Sequence, residues 1–332
     1  MKLSVLDQSP VSTGTTPAQA LQNSIELAKL ADRLGYTRYW IAEHHGMPAL
    51  ASPAPEILIT RIAAETERIR IGSGGILLPH YAPYKIAEQF RMLHALYPGR
   101  VDLGLGRAPG GSPIESWALR RDVNRLTADD FPERLNELLA FLHGEFDPKH
   151  RFARLTVSPE MPGGPEVWLL GSSMWSANAA AEFGLPYAFA HFIDPEPTRA
   201  AIEHYREHFK PSDYLAEPRA IVCLGVLCAD TQDEAERLLL TARAFRRRIR
   251  QGDTRPLPSV EEAMVELGPE ATVASRSHTE SEWPRYLSGD PSSVRTQMES
   301  IASALQLDEL MILTIVHSHE ARMRSYELVA NL

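Results

Sequence analysis

Eight segments that read as a β-strand followed by a helix run the length of this chain, and that alternation restricts it to very few folds. The strands are short β-rich runs: LSVLD (3–7), TRYWIAEHH, RIRIGSGGILLP, VDLGLG (101–106), VWLLG (167–171), YAFAH (187–191), AIVCLGVLC and ELMILTIV (309–316). Helical periodicity predicts helices over about 17–34, 55–67, 84–96, 128–142, 173–183, 196–209, 232–249 and 320–329. The first is punctuated at both ends, with Thr16 as N-cap, Pro17 in the first turn and Gly35 as the stop. Several strands are apolar throughout, as strands buried on both faces must be. The pattern predicts an α/β chain closed into a (β/α)8 TIM-type barrel, with an open doubly wound sheet as the competing arrangement. At 332 residues the chain has length for one barrel domain plus an insertion. Segment 252–289, with four prolines and the polar run RSHTESEW, fits no strand-helix unit. It is expected to be an insertion or lid after the seventh strand, because long connections in a barrel are more often functional than decorative.

Composition narrows the function classes. The 34 basic and 43 acidic side chains leave a formal charge of −9, which gives no general attraction to nucleic acid or to anionic lipid. The run Arg246-Arg247-Arg248 falls inside a predicted helix near Glu234 and Glu236 and reads as a solvated face. No stretch approaches the eighteen apolar residues of a membrane span, and the amino terminus has no signal-peptide core, so a cytoplasmic protein is expected. Cys223 and Cys228 lie five apart, would point to opposite faces of a strand, and read as buried filler in a reducing compartment.

In a barrel of this kind chemistry sits at the carboxyl ends of the strands. Those ends carry Asp7-Gln8-Ser9, Glu43-His44-His45, Gly74-Gly75, Gly106-Arg107, Gly171-Ser172-Ser173, His191-Phe192, Asp230 and His317-Ser318-His319. The run VWLLGSSMWSANAA places glycine and serines where a helix begins. Exposed N–H groups there suit an anion such as phosphate, although a serine also caps helices routinely. Arg107, ending another strand, supplies the cation a phosphate requires. Glycines at 72, 74 and 75 inside a strand mark either a bulge or bare backbone against a flat ring, and an unusual peptide geometry at Gly74-Gly75 would favour the ring. VDLGLGRAPGG fails as a dinucleotide fingerprint because Pro109 stands where glycine or alanine is required. The histidines suit proton transfer or hydrogen-bonded structure. A hydrolytic metal barrel, which would want HxH after the first strand, instead meets Asp7-Gln8-Ser9, so no metal is expected.

Taken together, YWIAEHH, GSGGILLPHYAP, GRVDLGLGRAP and VWLLGSSMWSANAAAEFGLP resemble, in order and spacing up to about residue 190, the blocks of the bacterial luciferase-like flavin monooxygenases. The resemblance implies a (β/α)8 barrel with FMN at the strand carboxyl ends. It implies that Arg107 and the segment from Gly171 through Ser172, Ser173, Met174 and Ser176 hold the flavin phosphate. Gly74-Gly75 would carry a non-proline cis peptide supporting the ring, and His44 would be the catalytic histidine. His191 would border the flavin, with Glu43, His45, Trp175, Phe192, His278 and Trp283 toward the substrate. The implied chemistry is oxygenation of a small organic substrate by reduced FMN (FMNH2) and O2 through a C4a-hydroperoxide. A separate flavin reductase would supply the FMNH2, and helices near the second and third units would form a homodimer. Gly106 and Ser172 stand where the light-emitting luciferase subunit has a cysteine and an acidic residue, which argues against light emission. Deazaflavin-dependent hydride transfer in the same superfamily and a non-catalytic flavin-binding protein are the alternatives.

Overall fold

The computed structural model describes residues 1–120, 130–271 and 281–332. In chain order the elements are β1 (Lys2–Asp7), α1 (Pro17–Leu34), β2 (Arg38–Ile41), α2 (Pro55–Ala64), β3 (Arg70–Leu77), α3 (Pro83–Leu96), β4 (Val101–Gly106), α4 (Pro113–Arg120) and α5 (Phe131–His143). They continue with β5 (Glu166–Gly171), α6 (Met174–Glu182), β6 (Tyr187–Ala190), α7 (Thr198–Glu207), β7 (Ala220–Cys228), α8 (Gln232–Arg250) and α9 (Val260–Leu267). The last are β8 (Tyr286–Gly289), α10 (Pro291–Ala304), β9 (Glu309–Leu313) and α11 (His319–Ala330).

All strand pairings are parallel, and β1 through β7 with β9 close into an eight-stranded ring, β6 joining β7 and β9 joining β1. The open-sheet alternative is thereby excluded. The terminal signals of α1 act as the sequence indicates: Thr16 accepts from the Gln19 N–H at 3.1 Å, and Gly35 closes the helix at φ +82°. Apolar helix faces pack on the outside of the ring, whereas Leu6, Trp40, Trp168, Ala188, Cys223 and Met311 belong to a separate cluster that includes the barrel interior. Cys223 and Cys228 are both buried and fall into different clusters, as strand residues on opposite faces do. Among the described residues no helix is long and apolar enough to cross a membrane. Ile57 on α2 and Met92 and Leu96 on α3 are exposed.

Two expectations are corrected. Segment 252–289, expected to fit no strand-helix unit, contains α9, opened by a Ser259/Glu262 capping box, and the strand β8, which leads directly into α10. The β6 pairing on β7 ends at Cys223 and the β8 pairing begins at Gly225, so β8 extends the sheet beyond the ring. The arginine run is not wholly a solvated face. Arg248 is buried and paired with Glu266 on α9, because the insertion packs over that side of α8.

The amino end of the barrel is plugged by charge. Arg38, at the start of β2, reaches Asp102 and Glu166 at 2.8 Å each and Glu309 at 3.0 Å. Its guanidinium also lies 4.7 Å from the Trp168 ring, and Trp40 Nε1 donates to Asp102 at 2.9 Å. Arg38 and Trp40 share the inward face because strand side chains alternate.

Candidate active site

At the opposite, carboxyl end, a cavity of about 310 Å³ is lined by residues near or just past the ends of six successive strands, among them Gln8, His44, Gly75, Arg107, Ser172 and Phe192. Its floor is apolar, built from Leu6, Trp40, Ala188, Cys223 and Met311. A larger cavity, about 480 Å³, lies at the amino end of β5 around Arg91, His143 and Tyr214 and contains none of the strand-end residues.

At the cavity mouth two strand ends converge. The Arg107 guanidinium lies 3.9 Å from the ring of Trp175, the second residue of α6, so the cation after β4 stands at the amino terminus of that helix. A helix amino terminus leaves backbone N–H groups without internal partners and carries partial positive charge. Gly171, Ser172, Ser173 and Ser176 line the same end. Ser176 has structural work, donating to the Ser173 carbonyl at 2.6 Å and sitting 2.9 Å from the Tyr187 hydroxyl. Gly171 is required by packing, since a Cβ there would strike Ser176. Met174 is exposed and lies outside the cavity lining.

The Gly74–Gly75 peptide is cis, and the register between β3 and β4 shifts between Ser73 and Ile76. A Cβ on Gly74 would come within 2.5 Å of Leu6 Cδ1, and one on Gly75 within 2.7 Å of the Gly104 carbonyl oxygen. Both glycines line the cavity, but the atoms that forbid a side chain are protein atoms. The cis peptide is the unusual geometry expected at Gly74-Gly75, and packing against other strands is a further reason for glycine at both positions.

β2 ends at Ile41, so Glu43-His44-His45 is a loop beyond it, anchored by the His44 N–H on Ser52 and the His45 N–H on Gly110. Glu43 lines the cavity, but its carboxylate is already committed. It accepts from the Leu77 N–H at 2.9 Å and the Tyr81 hydroxyl at 2.6 Å, and His45 Nε2 lies 2.6 Å away. His45 is turned toward Glu43 and is absent from the cavity lining. His44 faces the cavity, and its Nδ1 is buried without a partner among the described residues. Burial, reinforced by nearby His45, pushes His44 down to about 4, so the ring is neutral at physiological pH.

His191 and Trp283 sit behind the cavity wall. His191 is fully buried, with Nδ1 2.7 Å from the Thr198 hydroxyl and Nε2 3.0 Å from the Pro284 carbonyl. Trp283 is buried beneath the Arg199 guanidinium. Phe192 and Trp175 do line the cavity, and His278 lies outside the described residues. Asp7, another strand-end residue, is a structural anion. Burial works against its charge, but Arg322 at 2.5 Å and donors from Tyr39, Ser24 and Ser9 outweigh burial and hold it below its ordinary value. The pair His317/His319 is divided between Thr13 and Glu26. Sequence reasoning missed the floor residues and Ile193; period-two alternation along each strand is the signal that finds the floor.

A cation at a helix terminus, an apolar interior and a neutral imidazole with an orphaned nitrogen equip the site for a flat, phosphate-bearing ligand and proton handling. The model of the luciferase-like monooxygenase family matches residues 1–306. This chain belongs to the luciferase-like monooxygenase family. Over 99% of its length it is 39% identical to a luciferase-like monooxygenase of Escherichia coli, covering 96% of that protein. It is 33% identical to the N-acetyl-S-alkylcysteine monooxygenase of Bacillus subtilis, with 100% of this chain and 98% of that protein covered. The crystal structure of apo-MsnO8 superposes with a TM-score of 0.90 at 50% identity, covering 99% of this chain and 96% of that one. Gly106 and Ser172 both line the cavity of this luciferase-like monooxygenase.

Proposed function

We propose that this luciferase-like monooxygenase uses reduced FMN, supplied by a separate flavin reductase, and O2 to oxygenate a small organic substrate. The observation that carries the reading is Arg107 stacked on Trp175 at the start of α6, at the mouth of an apolar cavity that also holds His44. Arg107 and the Gly171–Ser173 turn would hold the phosphate through charge-assisted and backbone hydrogen bonds. The Gly74–Gly75 backbone and the floor would take the ring, and Phe192 and Trp175 would border the substrate. Reduced flavin supplies the electrons that activate dioxygen. His44, neutral and buried, would accept or return a proton at Nδ1, and the apolar walls would exclude water from the reaction.

The Bacillus subtilis relative is named for a thioether-bearing amino acid, which makes N-acetyl-S-alkylcysteines a reasonable first probe, beside simple aldehydes. With FMN, a flavin reductase, NADH and isotopically labelled dioxygen, mass spectrometry should find one labelled oxygen atom in the product. Turnover that proceeds without dioxygen on reduced deazaflavin, with no label incorporated, would replace oxygenation with hydride transfer.

A further inference from the structure

Beyond the end of β6 the chain turns through His191, Phe192 and Ile193 before α7, and both Phe192 and Ile193 line the cavity. A turn past the end of a strand presents carbonyls that the sheet does not satisfy, and those of Phe192 and Ile193 are taken up by one distant side chain. Arg285 Nη1 donates to Phe192 O at 2.9 Å and also to Ile193 O, spanning more than ninety positions of sequence. Arg285 is not itself a cavity-lining residue.

The segment before β8 also meets the turn at His191 and the following helix α7 at Arg199. His191 Nε2 faces the Pro284 carbonyl, which can only accept, so Nε2 carries the imidazole proton. Nδ1 lies 2.7 Å from the Thr198 hydroxyl, which donates to the Pro195 carbonyl at 2.8 Å. Arg199 on α7 pairs with Glu282 through Nε at 2.7 Å and lies 5.1 Å from the Trp283 ring. Pro284 and Arg285 therefore hold the turn from behind while Glu282 and Trp283 hold α7, and of these four Arg285 is the one that bonds the backbone of the two cavity-lining residues.

We propose that Arg285 is a positioning residue that fixes the Phe192–Ile193 wall and thereby sets access to the cavity floor. The inference rests on the reading of this cavity as the reaction chamber. A guanidinium whose single terminal nitrogen bridges two successive carbonyls defines their relative orientation, which a lysine ammonium on a flexible stem reproduces only in part.

Cys223 on the floor reports the access, and Cys228, buried on the opposite face of the same strand, is its control. Alkylation by iodoacetamide, followed residue by residue by mass spectrometry on the full-length protein, is expected to be at least about fivefold faster at Cys223 in Arg285→Ala. Cys228 should be unchanged, and Arg285→Lys intermediate. Equal acceleration of both cysteines would mean general loosening and would overturn the proposal, as would an unchanged Cys223 rate in both variants. Added FMN should slow Cys223 alkylation in the unsubstituted protein. Failure of FMN to protect would count against the flavin reading and leave the Arg285 effect on Cys223 standing as a separate result.

Discussion

His44→Ala is expected to retain FMN affinity within about threefold while slowing flavin reoxidation coupled to substrate by about 100-fold, the usual scale for losing a positioned acid–base group. The reason is local. His44 is carried on a loop held by backbone hydrogen bonds to Ser52 and Gly110, so deleting its ring leaves the loop in place. The ring faces the cavity and its Nδ1 has no partner among the described residues. Burial and His45 hold it down to about 4, which leaves the neutral, proton-accepting form populated throughout the physiological range. The unsubstituted protein should therefore show no inflection attributable to His44 above about pH 5, with activity falling as pH drops through about 4. Stopped-flow absorbance of the flavin measures both effects, and unchanged kinetics in the variant would remove His44 from the chemistry.

The second large effect lies at the other end of the barrel and concerns stability. Arg38→Ala strips the shared cation from Asp102, Glu166 and Glu309, of which Asp102 is fully buried. Breaking a buried ion pair from one side costs about 3–5 kcal/mol, and the loss here should fall at or below the lower end of that range, because Arg70 still pairs with Asp102 at 2.5 Å and Arg219 with Glu166. Chemical denaturation of variant and parent should show that difference. The same network predicts a pH dependence. Burial alone would push Glu166 up, but Arg38, Arg219 and the Trp168 N–H overcome it and hold Glu166 at about 2. A carboxylate depressed in the folded state stabilises fully above its unfolded value, near 4.3, and loses that contribution as pH falls toward 2. Melting temperature should decline across that acidic window, and less steeply in Arg38→Ala. A variant as stable as its parent would contradict the charge-plug account.

Much of this was legible in the sequence, for physical reasons that also explain the failures. Strand-end positions in a parallel barrel must gather at one rim, so Arg107, the Ser172–Ser173 turn and His44 were brought together by topology alone. Topology does not fix where a side chain points. His191 and Trp283 occupy the expected stretch of chain yet face the protein interior, bonded to Thr198 and Pro284 or stacked under Arg199. Glu43 lines the cavity, but its oxygens serve Leu77, Tyr81 and His45. The strand β8, only YLSG, is too short and polar to announce itself, whereas the Ser259/Glu262 box that opens α9 is a readable signal among the prolines. The glycines at 74 and 75 were visible; that Leu6 and Gly104 are what exclude side chains there depends on neighbouring strands.

In the proposed complex Arg107 and the start of α6 hold the phosphate of FMN. Calorimetric titration of the protein and of Arg107→Ala with FMN and with riboflavin, which lacks only the phosphate, tests it directly. The account predicts that the parent binds FMN at least about tenfold more tightly than riboflavin and that the preference collapses in the variant. Equal affinities in the parent, or a clear preference for a deazaflavin offered under the same conditions, would contradict it.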